Sequence, residues 1–278
     1  MSDPHFAAYS FVDRIVEFVP GQRARGTFEI PARVERFPAA LVAEAVGQLA
    51  AWVAMDAIGF RGRPVAALAT ETRFAGVAKP GDTLDLAVEL QQCDDEAVAY
   101  DGRASVDGRP IIELADCLGP MLPVADFDAP EAMRERLALL RGTGAARGRF
   151  PGIDDIPMHV ARRSAGSELH ATIDVPAEAP FFGDHFPRRP VFPATLLLDL
   201  MMRLAVDLAT GSAAPGKAAR ALRVTHVKMR SFIAPAQRLD VAVALGAPEN
   251  GVAKAMLGAR TDDRLVATAR LELAAPGP

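Results

Sequence analysis

The chain has 278 residues, 50% of them hydrophobic and 24% charged, with a formal net charge of −4. That is enough apolar material for one large core or two ordinary domains, and it excludes disordered and collagen-like classes. An acidic balance supplies no global basic field, which argues against nucleic acid as a partner. The two cysteines, Cys93 and Cys117, form neither a paired framework nor a CxxC spacing, so the expectation is a reducing, cytoplasmic setting with no metal centre.

In chain order, Met1 to His5 lacks the basic start and apolar run of a signal peptide. Gly21 to Ala32 contains an opening strand. Ala39 to Ile58 is a long apolar helix, but Glu44, Gln48 and Asp56 lie within it. Unpaired charge at bilayer depth is costly, so the stretch reads as a buried core helix and no membrane partner is expected. Thr83 to Leu90 alternates with period two, and Ala97 to Val106 and Pro110 to Cys117 read as further strands. Asp128 to Leu140 predicts an amphipathic connecting helix, with Asp128 as its cap and Pro130 in its first turn. Gly142 to Gly152, rich in Gly and Arg, predicts a mobile linker. A second strand–helix–strands series follows: Gly166 to Ala177, the apolar helix Ala194 to Thr210, then Ala221 to Phe232, Arg238 to Leu245, Ala253 to Arg260 and Leu265 to Leu273.

The two series are copies. Pro38-Ala39 and Glu44 align with Pro193-Ala194 and Asp199 at a shift of 155, and Lys79 to Leu90 lies over Ala234 to Leu245 at the same shift. Upstream the shift is 145, matching Gly21 to Ala32 with Gly166 to Ala177, so the second copy carries ten extra residues just before its helix. A strand-rich copy with one helix apolar nearly all round predicts an α+β fold in which each half is an antiparallel sheet wrapped around a central helix. The expected boundaries are 1–125 for the first half, 126–147 for a linker with its helix, and 148–278 for the second half.

Four of the five histidines have ordinary readings: His5 near the terminus, and His159, His170 and His226 before or on strands. His185 stands apart, in a loop pinned by Pro187, Pro190 and Pro193 inside the extra ten residues, a setting that suits the placement a general base needs.

The segment Phe181-Phe-Gly-Asp-His-Phe-Pro-Arg-Arg-Pro-Val-Phe-Pro-Ala-Thr-Leu-Leu-Leu-Asp199 resembles the active-site segment of the beta-hydroxyacyl-ACP dehydratases of fatty acid synthesis. Their pattern is Gly-His-Phe-Pro-x-x-Pro-Val-x-Pro-Gly, with an acidic residue fourteen positions after the histidine. Tyr9 to Gly21 is similar to the family's Tyr-Pro-Phe-Leu-Leu-Val-Asp-Arg opening, and Glu44-Ala-Val-Gly-Gln48 to its Glu-Ala-x-x-Gln helix. Asp184 and Ala194 depart from the family's glycines, and Arg188 and Arg189 from its usual loop.

The resemblance implies a fused double hotdog in which His185 of the second copy, as the base, faces Glu44 of the first, as the acid or water-positioning group. Gln48 would lie one turn along the same helix face, the Val191 carbonyl would orient the imidazole, and the Ala194 amide at the helix start would receive thioester charge. The other site lacks a histidine, and Asp199 is expected to be neutralised by Arg203 at i+4. The implied enzyme is a cytoplasmic 3-hydroxyacyl-[acyl-carrier-protein] dehydratase, a hydro-lyase of fatty acid or specialised lipid or polyketide synthesis. It would need no cofactor and would take an acyl-carrier-protein or acyl-CoA thioester. An acidic carrier is expected to dock at Arg188, Arg189, Lys228 and Arg230. The chain would be an internal pseudo-dimer, open to further homo-oligomerisation. The alternatives are a hotdog acyl-thioesterase, with Glu44 activating water, and a non-catalytic acyl-binding subunit.

Overall fold

A computed structural model describes residues 6–211, 218–262 and 264–274. Three α-helices and thirteen strands make up the described fold. The first half contains β1 (Arg14–Val19), β2 (Arg23–Glu29), α1 (Ala39–Ala57), β3 (Gly62–Pro64), β4 (Leu68–Phe74), β5 (Thr83–Cys93), β6 (Ala97–Val106) and β7 (Arg109–Pro123). After α2 (Pro130–Arg141), the second half contains β8 (Met158–Ser164), β9 (Glu168–Asp174), α3 (Ala194–Thr210), β10 (Arg220–Met229), β11 (Arg238–Leu245), β12 (Val252–Thr261) and β13 (Arg264–Ala274).

The strands form one antiparallel sheet in the order β1-β2-β5-β6-β7-β4-β10-β13-β12-β11-β9-β8, with β3 added against β7. Read from either edge the order is the same: β3 apart, each strand of the first half has a counterpart equally far from the central β4–β10 pair. The internal repeat is thus a pseudo-twofold in space. The seam is a ladder from Arg223 opposite Arg73 to Lys228 opposite Leu68. Arg223 reinforces it, donating to Glu71 across the seam at 2.9 Å and to Glu272 of β13 at 2.8 Å.

Both helices start directly after a proline, Pro38 and Pro193, whose fixed φ suits a helix entry. α1 is rich in strong helix formers and buries residues all round, from Leu41 and Val42 to Trp52 and Met55. In length and composition it could cross a membrane, but the sheet covers most of it here. It presses so closely on β6 that a Cβ at Gly102 would overlap Val46. α1 ends at Ala57 with Ile58 as its cap, and Gly59 beyond it takes the left-handed conformation (φ +63) that glycine adopts without strain. Strands such as β11 alternate between buried and exposed residues, so one face of the sheet packs on the helices.

Two expectations are corrected. The cap of α2 is Ala129, with no side-chain capping bond; Asp128 is instead buried and paired with Arg63 at 3.5 Å. Residues 142–152 are a packed connection. The Ala145 amide donates to the Asp13 carbonyl, Arg33 grips the carbonyls of Gly148, Arg149 and Phe150, and the Phe150 ring sits edge-on against Phe11 and Phe37.

Candidate active site

The site forms where α1 of the first half meets the start of α3 of the second. Glu44 and Gln48 lie one turn apart on α1. The Gln48 amide is fully oriented: its oxygen accepts from the Phe11 amide at 2.8 Å, and its nitrogen donates to the Tyr9 carbonyl at 2.9 Å and to Glu44 Oε1 at 3.0 Å. The other carboxyl oxygen, Glu44 Oε2, accepts from the Thr195 hydroxyl at 2.8 Å, across the two halves. That hydroxyl has one hydrogen, so the Tyr9 phenol, 2.8 Å from Thr195 Oγ1, donates to it. Burial, then the Glu44 charge, pushes the Tyr9 phenol well above its ordinary range, which keeps that proton in place.

His185 lies between its neighbour Phe186, stacked on it with ring centroids 4.1 Å apart, and Tyr9, edge-on at 5.6 Å. Its Nδ1 is 2.8 Å from the Val191 carbonyl. A carbonyl can only accept, so Nδ1 carries the hydrogen and, in the neutral ring, Nε2 is the basic nitrogen. Burial lowers the imidazole pKa; the Glu44 charge and the bond to Val191 oppose this. A neutral imidazole with one directed lone pair can take a proton.

Asp184, in place of the family's glycine, is buried. Its carboxylate collects the backbone N–H of Phe6 and of Tyr9 (2.7 Å) and the Ser10 hydroxyl (3.3 Å). It ties the opening segment of the first half to the histidine loop of the second. Neither this clamp nor the role of Thr195 is visible in the sequence, where Asp184 is only a departure from the family pattern and Thr195 one hydroxyl in an apolar helix start. The Ala194 amide, in the first turn of α3, donates to no protein acceptor among the described residues.

A small cavity of about 40 Å³ opens beside this cluster, lined by His185, Gln48, Tyr9, Arg63, Asp184 and residues of α1 and α2. The pseudo-symmetric position is built differently. Arg36 of the first half reaches Asp199 at 3.3 Å, while Arg203 turns to Asp155 at 4.0 Å. The hydrogen-bonded partner of Asp199 is therefore Arg36, and Arg203 adds only longer-range attraction. Burial still leads, holding the Asp199 carboxyl above its ordinary range.

The cationic residues differ in availability. Arg188 donates to the Ala125 carbonyl at 2.9 Å, and Arg189 stacks over Phe232 at 4.7 Å. Lys228, near the end of β10, and Arg230, just beyond it, are exposed. No cluster of three His, Cys, Asp or Glu residues able to hold a metal occurs among the described residues.

Comparison with known proteins agrees with this architecture. A tesB protein of Mycobacterium avium subs paratuberculosis matches with a TM-score of 0.57 at 14% identity, covering 94% of this chain and 96% of its own. A hot dog fold protein of unknown function from Alicyclobacillus acidocaldarius matches over 100% of both chains with a TM-score of 0.54 at 15% identity. The fold is a double hotdog, in which each half wraps its sheet around one helix. Sequence relatives narrow this further. The ApeI-like family, described as ApeI dehydratase, matches residues 161–268. The 3-hydroxyacyl-acyl-carrier-protein dehydratase FabZ of Paramagnetospirillum magneticum is 32% identical over 123 residues, 43% of this chain and 74% of that protein. The FabZ of Bacillus subtilis is 33% identical over 129 residues, 42% of this chain and 92% of its own. The chain belongs to the FabA/FabZ-like hotdog dehydratase family.

Proposed function

We propose that the chain is a cytoplasmic hydro-lyase that removes water from a 3-hydroxyacyl thioester, carried on acyl carrier protein or coenzyme A, to give a 2-enoyl thioester. His185 Nε2 takes the C2 proton, the C2–C3 double bond forms, and the C3–O bond breaks. Glu44, whose two oxygens both act as acceptors, orients the 3-hydroxyl. The proton removed by His185 leaves with the hydroxide as water. The Ala194 amide and the positive end of α3 stabilise the enolate-like charge on the thioester oxygen. Val191 and Gln48 position His185 and Glu44. Lys228 and Arg230, with Arg188 and Arg189, form the docking face for an acidic carrier. The division into halves at 1–125 and 148–278 belongs to the same proposal.

The observation that carries this reading is the imidazole itself: its Nδ1 is committed to Val191 at 2.8 Å, leaving Nε2 as a base in a ring that burial keeps neutral. The second reading is hydrolysis of the thioester. It is favoured by the fold's likeness to acyl-CoA thioesterase II TesB2 of Mycobacterium marinum, matched with a TM-score of 0.57 at 11% identity. One assay separates them. Incubated with a crotonyl thioester, the protein should form the 3-hydroxybutyryl thioester without releasing thiol. Free thiol with no hydrated product would establish the hydrolase instead.

A further inference from the structure

α2 does more than join the copies. It supplies Arg136 to the wall of the cavity that also holds His185. Arg136 is 9% exposed, and among the described residues its guanidinium makes no hydrogen bond and no ion pair. Its one close polar contact is the Phe6 ring, 4.9 Å from the guanidinium carbon. The two carboxylates that attract it without a direct bond are hydrogen-bonded elsewhere: Asp184 to the N-terminal segment, Asp13 to the Glu29 amide. A buried cation with five unmet donors is costly, and such groups are normally paired. Arg63, paired with Asp128, and the carboxylate of Asp184 line the same cavity, and Arg149 repels Arg136. Burial, the leading cause, and this repulsion lower the Arg136 pKa, and the charges of Asp184 and Asp13 oppose them.

We propose that Arg136 is an anion anchor: a negatively charged group on the substrate, either a carboxylate ending the acyl chain or a phosphate on the carrier arm, seats on its guanidinium inside the cavity that holds His185. The planar guanidinium fork suits both oxyanions. Met133 and Leu140 of the same helix, with Trp52 and Met55 of α1, give the cavity apolar walls suited to the methylenes that lead to the charge. This inference rests on the thioester reading above.

The test uses three non-reacting amide analogues of the 3-hydroxyacyl thioester. One is a neutral cysteamine type ending in methyl, one is the same ending in carboxylate, and one is a methyl-ended chain on phosphopantetheine. Each is titrated calorimetrically into the full chain, into Arg136→Gln and into Arg136→Lys. The wild type should prefer one anionic analogue over the neutral one, and which one identifies the source of the charge. Arg136→Gln should reduce that preference roughly tenfold to a hundredfold, as for loss of a charge-assisted pair, and Arg136→Lys should recover part of it. Because the substitution removes an unpaired buried charge, Arg136→Gln should melt at or above the wild-type temperature without ligand. Equal preference in wild type and Arg136→Gln, or no anionic preference in the wild type, would overturn the anchor. Turnover of the neutral thioester without anionic preference would remove the anchor alone. Anionic preference without turnover of any thioester would remove the dehydratase reading alone.

Discussion

Thr195, in the first turn of the second half's helix, donates its hydroxyl to Glu44 of the first half's helix at 2.8 Å. With Tyr9 donating to Thr195 and Gln48 to the other carboxyl oxygen, three side chains hold one carboxylate. Only Thr195 comes from the opposite half, so it couples the site to the packing of α3 on α1.

Thr195→Val should therefore act as the loss of a positioning residue. The shape is kept while Glu44 Oε2 and the Tyr9 hydroxyl lose their partner. We expect kcat for dehydration to fall by about tenfold, the scale of one hydrogen bond to a charged group, with KM little changed. Thr195→Ser should restore most of it. Steady-state kinetics on a 3-hydroxyacyl thioester reads both parameters, and a purely KM effect would contradict the positioning role.

Asp184 is expected to be structural. Its buried carboxylate receives the Phe6 and Tyr9 amides and the Ser10 hydroxyl, whereas an asparagine would turn an NH₂ toward donors. Asp184→Asn should lower the unfolding free energy by about 2–4 kcal/mol, measured by urea denaturation. Asp184→Gly, the family's residue, should also make the chain near residues 6–13 sensitive to limited proteolysis. Unchanged stability and protection in both variants would show that the clamp is not needed.

Asp13 gives a pH-dependent prediction. It is 6% exposed; burial pushes its carboxyl from 3.8 up to about 6, with the Glu29 N–H opposing first and Arg147 next. A raised folded pKa means that, as pH rises, the unfolded chain ionises first, so stability is lost between about pH 4 and 6 and stays lost above. Asp13→Asn keeps an acceptor for the Glu29 amide, which lies 2.7 Å away, and removes the buried charge. It should raise stability at pH 8 by about 1–3 kcal/mol, and by less at pH 5. Urea midpoints at the two pH values check this, and an equal gain at both would contradict it.

Much of this structure was legible because periodicity and duplication are local signals. Ala97–Val106 and Arg238–Leu245 are strands with the bounds that alternation gives them. The shift of 155 foretold two equivalent helices, and the sheet order repeats it strand for strand. Long-range pairing was not legible. Arg36 and Asp199 are 163 positions apart, and only folding brings Arg36 nearer than Arg203, which shares the helix of Asp199. Asp128 looks like a cap because Asp ahead of Pro at a helix start usually is one, but the half-buried Arg63 claims it. Composition made residues 142–152 look mobile. The single Phe150, packed among Phe11 and Phe37, anchors them.

The central claim is that His185 of the second half and Glu44 of the first act as one unit while Asp199 is a bystander paired with Arg36. A double-mutant cycle tests it most directly: kcat/KM for dehydration of one 3-hydroxyacyl thioester by His185→Ala, Glu44→Gln and the pair, with Asp199→Asn alongside. Each single variant should abolish most of the activity, and the double should lose little more than either, because members of one catalytic unit are not additive. Asp199→Asn should stay within about threefold of the wild type, as expected for a residue outside the unit. Activity lost in Asp199→Asn and kept in Glu44→Gln would contradict the account, since it would mean that His185 works with the acid of its own half.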